Sequence, residues 1–206
     1  MNFLAHAYLS GENPGIVIGN LMGDTVKGKQ YESYPHDIKT GLLMHRSIDS
    51  FTDTQTEVKA SVETVRPAFG RYSGIVCDIY YDHFLAKHWS DFSKHTLADF
   101  AQSVYLNLNE NLSILPPVAQ RISAFMMIRN WLGTYDKFDF LHQVFLGMNY
   151  RTSKKGNMDV AVEVLQEHYE TLEAHFFQFM PKVESFSKDY LEAINENEKP
   201  VKQISF

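Results

Sequence analysis

The stretch Ile75–Trp89, IVCDIYYDHFLAKHW, decides how the rest of the chain is read. At ~100° per residue, Ile75, Ile79, Leu85, Ala86 and Trp89 fall within one apolar arc of roughly 120°, the signature of a packed helix. Asp78 and Asp82 fall inside that same arc. Two carboxylates four residues apart on a buried face repel each other, and burying an isolated charge is expensive. The pattern therefore demands something positive between them: a metal ion, or buried salt bridges to Arg or Lys. His83 lies at the edge of the arc.

Outward from this helix the chain keeps helical periodicity, and no Asn-Gly or Asp-Gly turn joins two β-branched runs. Asn13-Pro14 reads as an N-cap and first helical residue, opening a helix toward Lys27. Pro35 opens a second helix to about Thr54. A third, Glu57–Phe69, is interrupted by Pro67. After Ile75–Trp89 come Leu97–Leu112, Val118–Leu132, Asp139–Tyr150 and Asp159–Met180, and beyond Pro181 another to about Glu192. Arg151–Asn157 reads as a loop and Asn195–Phe206 as a frayed tail. The expected architecture is an all-α, single-domain helical bundle over residues 1–194, with 195–206 as its tail.

The second helix carries His45, Asp49 and Asp53 at successive i, i+4 positions, opposite Met44, Ile48 and Phe51, with Arg46 beside them. Alone this is an ordinary solvated face; a second acidic stripe facing it would make it one wall of a metal site. Gly15, Gly19 and Gly23 share one edge of the first helix, a spacing that permits close helix approach and places Asp24 at the contact. Gly23–Gln30 matches a phosphate-binding loop only up to its lysine, and neither the following Ser/Thr nor a preceding strand is present. His168 and His175 are two turns apart, ~10 Å along one helix, too far to share an ion.

Composition limits the alternatives. The 206 residues are 44% hydrophobic and 14% aromatic, ample for a core, and the single Cys77 excludes an internal disulfide or a cysteine zinc site. A formal charge of −6 argues against a dedicated nucleic-acid binder. The longest apolar stretch, Ile16–Met22, is too short for a membrane span, and the first ten residues lack signal-peptide features, so the expected location is cytoplasmic.

Four ordered motifs carry a resemblance: Asn2-Phe3-Leu4-Ala5-His6; Gly19-Asn20-Leu21-Met22-Gly23-Asp24; Met44-His45-Arg46-Ser47-Ile48-Asp49 with Thr52-Asp53; and Asp78 with Tyr81–Trp89. Together they resemble the acyl carrier protein phosphodiesterases, over nearly the whole chain. That resemblance implies a divergent, all-α relative of the HD-type phosphohydrolases that removes 4′-phosphopantetheine from holo-acyl carrier protein with a divalent ion. Manganese is the expected ion, with Mg²⁺, Fe²⁺ or Zn²⁺ as alternatives. The adjacent pair Asp82-His83 reverses the His-Asp order that names the HD enzymes.

On this reading His6, Asp24, Asp78, Asp82 and His83 form the pool of metal ligands. His45 is a ligand or the acid that protonates the leaving serine oxygen. Arg46 clamps the phosphate, and Asp49 orients His45 or a ligand. The partner, holo-acyl carrier protein, is itself acidic, so docking calls for basic residues near the mouth: Lys27, Lys29, Arg46, Arg66, Arg71, Lys87 and the Arg151-Lys154-Lys155 loop. Two other readings stay open at this point. A related enzyme of a small phosphodiester or nucleotide would need Arg46 but not the outer basic residues. A helical binding module with structural acidic stripes would bind no metal.

Overall fold

A computed structural model describes residues 1–152 and 156–197. Its helices are α1 (Phe3–Leu9), α2 (Pro14–Leu21), α3 (His36–Thr54), α4 (Thr56–Phe69), α5 (Ser73–Lys87) and α6 (Trp89–Phe92). They continue as α7 (Leu97–Glu110), α8 (Pro117–Ile128), α9 (Phe138–Arg151), α10 (Ala161–Glu167) and α11 (Tyr169–Asn197). Short 3₁₀ turns, including Gly23–Thr25 and Gln30–Ser33, link them. No strand occurs among the described residues, so the all-α expectation holds. None of their helices is long and apolar enough to cross a membrane. Lys154, Lys155 and the tail from Glu198 lie outside the described residues.

The helix α5 is the centre of the molecule, and its burial is broader than the apolar arc suggests. Tyr80, Phe84 and Leu85 are fully buried, as is every residue from Ile79 to Ala86, whereas Ile75 is 46% exposed. A helix apolar on all sides belongs in a core. The helices α4, α11 and α1 pack around it. Tyr81 meets Phe176 and Phe179 of α11 at ring separations of 5.7 and 5.6 Å, and its hydroxyl hydrogen-bonds Ser61 of α4 at 2.9 Å.

Two further differences from the sequence reading have physical causes. At Pro181, α11 does not stop: the missing N–H removes one ladder bond, but Phe179, Met180 and Val183 are fully buried on the continuing stripe. Tertiary packing outweighs an intrinsic proline cost of about 3 kcal/mol. The same holds at Pro67, which α4 passes through with Val65 and Phe69 buried on either side. The first helical segment, by contrast, ends at Leu21 and gives way to the 3₁₀ turn at Gly23 rather than running to Lys27.

At α2 the sequence signals act as read. The Asn13 side chain accepts from the backbone N–H groups of Gly15 (2.9 Å) and Ile16 (3.3 Å), with Pro14 at the first turn. The glycine edge of α2 lies directly on α3. A β-carbon at Gly19 would collide with the Ile38 carbonyl oxygen, and one at Gly41 with the Ile16 carbonyl oxygen. Only glycines let these two backbones approach so closely, and that approach carries Asn20 and the Gly23 turn against His45.

Candidate metal centre

Four short pieces of chain converge where α1, α2, α3 and the Gly23–Thr25 turn meet. His6 comes from α1, Asn20 from the end of α2, His45 and Asp49 from successive turns of α3, and Asp24 from the 3₁₀ turn. Gly23 is indispensable to the arrangement, because a β-carbon there would sit inside the His45 ring. The two imidazoles are buried and stacked, with centroids 4.0 Å apart and planes at 21°.

Hydrogen bonds set which nitrogen of each ring faces inward. The Asn20 amide donates to the His6 carbonyl oxygen (3.1 Å) and to Ser10 Oγ (2.9 Å), leaving its Oδ1 as acceptor 2.7 Å from His6 Nδ1. His45 Nδ1 lies 2.8 Å from the carbonyl oxygen of Asn20, which can only accept. Both Nδ1 atoms therefore carry a proton, and each ring, when neutral, presents the Nε2 lone pair. The Nε2 atoms lie 3.2 Å from Asp49 Oδ1 and Oδ2 respectively, yet neither has a hydrogen-bond partner. Two lone pairs facing a carboxylate repel unless a cation lies between them. Ligand atoms of His6, His45 and Asp49 lie within 4.8 Å of one another, so the three can hold a metal ion. Asp24, largely exposed at the rim, places Oδ1 3.6 Å from His45 Nε2.

The protonation pattern reflects the same crowding. Burial, reinforced by the neighbouring His45 charge, lowers His6 to about 4. For His45 burial again opposes the charge, but Asp24 and Asp49 outweigh it and raise the group to about 9. Asp49 is partly buried, yet its contacts to His45 and His6 hold its carboxyl well below the usual range. Asp24 is lowered as well, chiefly by His45. Without a metal, then, a single proton on His45 partly fills the role of the cation.

The other residues of the sequence-derived set are elsewhere. Asp82, fully buried, accepts from the backbone N–H groups of Leu4 (2.8 Å) and Ala5 (3.1 Å), so it caps α1 from 77 to 78 residues away. Asp78 pairs with the amino-terminal ammonium at 2.8 Å. The repulsion inferred within the acidic stripe is thus relieved by a helix terminus and an ammonium. His83 bonds the Tyr135 carbonyl oxygen through Nδ1 (2.9 Å) and the Tyr169 hydroxyl through Nε2 (3.0 Å), which occupies both nitrogens. Arg46 donates from Nη2 to the Val26 carbonyl oxygen (3.0 Å) and stacks on Tyr31 at 5.0 Å, holding the loop after the turn. The structure brings together His6, His45, Asp49 and Asp24, and does not bring Asp78, Asp82, His83 or Arg46 to their inward face. Asn20, quoted within a motif but given no role from sequence, orients both imidazoles. An amide one residue before the end of α2 was the signal available.

A cavity of about 430 Å³ opens beside Asp24, lined also by Thr25 and Lys27 from the turn and by Val118 and Ile122 of α8. Asn2 and Phe3 form its border with a second cavity of about 740 Å³, walled by Phe125, Arg129 and Trp131.

A family profile described as acyl carrier protein phosphodiesterase matches residues 1–183. A protein of that name from Enterobacter sp. is 34% identical over 89% of this chain and 95% of its own. Its namesakes from Yersinia pestis (34% identical, 88% and 94% covered) and Pectobacterium atrosepticum (33%, 91% and 98%) are similarly related. No solved structure matches the chain. The chain belongs to the acyl carrier protein phosphodiesterase family of hydrolases.

Proposed function

We propose that this protein hydrolyses the phosphodiester joining 4′-phosphopantetheine to a serine of holo-acyl carrier protein, in the cytoplasm, using a divalent ion held by His6, His45 and Asp49 with Asp24 at the rim. The observation that carries the metal reading is the pair of buried Nε2 atoms, both without a hydrogen-bond partner and both facing one carboxylate. Two imidazoles and carboxylate oxygens make a mixed donor set that suits Mn²⁺, the ion proposed here, and also accepts Fe²⁺ or Zn²⁺. Such an ion supplies a water of lowered pKa and neutralises phosphoryl charge.

The chain's own residues do the remainder. Asn20 holds His6 in the tautomer that exposes Nε2, and its carbonyl does the same for His45. With Nδ1 committed in this way and Nε2 turned toward Asp49, His45 enters as a ligand. Lys27 shares the cavity wall with Asp24, so it takes the phosphate-facing position expected for Arg46. The water oxygen ends on phosphorus, the P–O bond to serine breaks, and the serine oxygen takes up a proton. Apo-carrier and 4′-phosphopantetheine are the products. Likeness to the HD-type hydrolases enters as part of the same proposal, through two histidines and an aspartate on a helical scaffold.

Metal-stripped protein incubated with holo-carrier, with and without Mn²⁺, tests the reading by the carrier's mass. Metal-dependent loss of the arm is the expected result. Tight Mn²⁺ binding with an unchanged carrier mass would overturn the substrate and leave a phosphodiesterase of small molecules. Absence of both metal binding and reaction would leave a helical binding module.

A further inference from the structure

Building on the proposed carrier substrate, we infer that the outward face of α8 is the surface on which an acidic carrier protein docks. This face is apolar and uncovered by its own chain. Val118, Phe125 and Ile128 are 48%, 54% and 80% exposed, and at ~100° per residue they share one side of the helix with Arg121 and Arg129. A contiguous exposed apolar patch edged by charge marks an interaction site more often than scattered surface residues do.

The charge of the patch selects the partner. The segment Asn111–Tyr135 contains no Asp or Glu, in a chain that has 25 of them, and it carries Arg121 and Arg129. Neither arginine is paired with a carboxylate among the described residues, and Arg129 lies over the Phe125 ring at 5.5 Å. By contrast, Arg66 is bonded to Glu63 through Nε and Nη2, and Arg46 to the Val26 carbonyl oxygen. Of the basic residues expected from sequence to dock the carrier, Arg46 and Arg66 are thus engaged within the chain, while Arg121 and Arg129 on α8 face no carboxylate among the described residues.

Position supplies an independent argument. The same helix walls both cavities: Val118 and Ile122 line the one that reaches Asp24 and Lys27, and Phe125 and Arg129 line the larger one. A partner seated on α8 thus stands at the entrance to the space that reaches Asp24, at the rim of the candidate metal centre, toward which a serine-linked arm has to be threaded.

The test uses the full chain with holo- and apo-carrier protein, together with bis(p-nitrophenyl) phosphate as a small phosphodiester. The double variant Arg121→Glu/Arg129→Glu is expected to raise KM for holo-carrier by about tenfold or more, and to weaken apo-carrier binding, measured without turnover, by a similar factor. Ile128→Ser should weaken both by several-fold. Hydrolysis of the small diester should not change in any variant, and the gap between wild type and the arginine variant should narrow at high salt. Unaltered carrier KM and affinity in all variants would overturn the docking face while leaving the proposed reaction intact. A wild-type dimer that Ile128→Ser dissociates without altering carrier kinetics would also overturn it, by assigning the face to a second copy of the chain. Hydrolysis of the small diester with no carrier turnover by wild type would remove the proposed function and this surface with it.

Discussion

Replacing Asn20 by alanine isolates the role of tautomer control in the candidate centre. The substitution removes the acceptor 2.7 Å from His6 Nδ1 and the donor to the His6 carbonyl oxygen and Ser10 Oγ. It leaves the backbone carbonyl that holds His45 Nδ1. One of the two imidazoles is therefore freed to rotate or change tautomer while the other stays fixed. Loss of an outer partner of a ligating histidine lowers metal affinity by about 10–100-fold, or about 1.4–2.8 kcal/mol. Stability should fall separately by about 1–3 kcal/mol, because Asn20 is fully buried and its partners lose their bonds. At about 2–4 °C per kcal/mol for a chain of this size, the metal-free melting temperature drops by roughly 5 °C. Isothermal titration with Mn²⁺ and thermal unfolding of the metal-free protein read the two effects apart. A folded Asn20→Ala variant that binds Mn²⁺ as tightly as wild type would refute the argument that Asn20 presents the His6 lone pair.

Other expected outcomes follow from the same geometry. Asp82→Ala should destabilise the protein by about 2–4 kcal/mol in urea unfolding, since it uncaps α1 and orphans two buried N–H groups; no loss of stability would exclude the capping role. Binding of Mn²⁺ must displace the proton that His45 holds up to about 9, so affinity should rise with pH toward 9 with about one proton released per ion. Titration in buffers of different ionisation enthalpy measures that proton. In the metal-free protein, His45 is raised from its ordinary 6.5, so its contribution to stability is fully present below 6.5 and is lost as pH rises through about 9; unfolding across that window checks the sign. Gly23→Ala drives a methyl into the His45 ring, and should cost about 1–3 kcal/mol and weaken Mn²⁺ binding, with the same two assays as readout.

The contrast between two pairs spaced four residues apart shows how far local spacing carries. His45 and Asp49 sit four apart on α3, and that spacing alone makes them neighbours, as the structure has them with His45 Nε2 3.2 Å from Asp49 Oδ2. Asp78 and Asp82 have the same spacing on α5, and sequence states correctly that such carboxylates need partners. Their partners, however, are an ammonium and two backbone amides 77 to 78 residues away, which no periodicity encodes. Nor was α1 legible, because seven residues do not hold a helix on their own, and its cap comes from α5 and not from Asn2.

Sequence by itself determined the all-α class, the N-cap at Asn13, a glycine edge on α2 fit for a close helix approach, and the family. Each of these is written in neighbouring residues or in ordered local motifs. Tertiary structure alone decided that His6 joins His45 and Asp49, that Asp82 serves a helix end, and that α11 passes through Pro181. All three depend on which distant surfaces are buried against each other, and burial at that range outweighs local propensity.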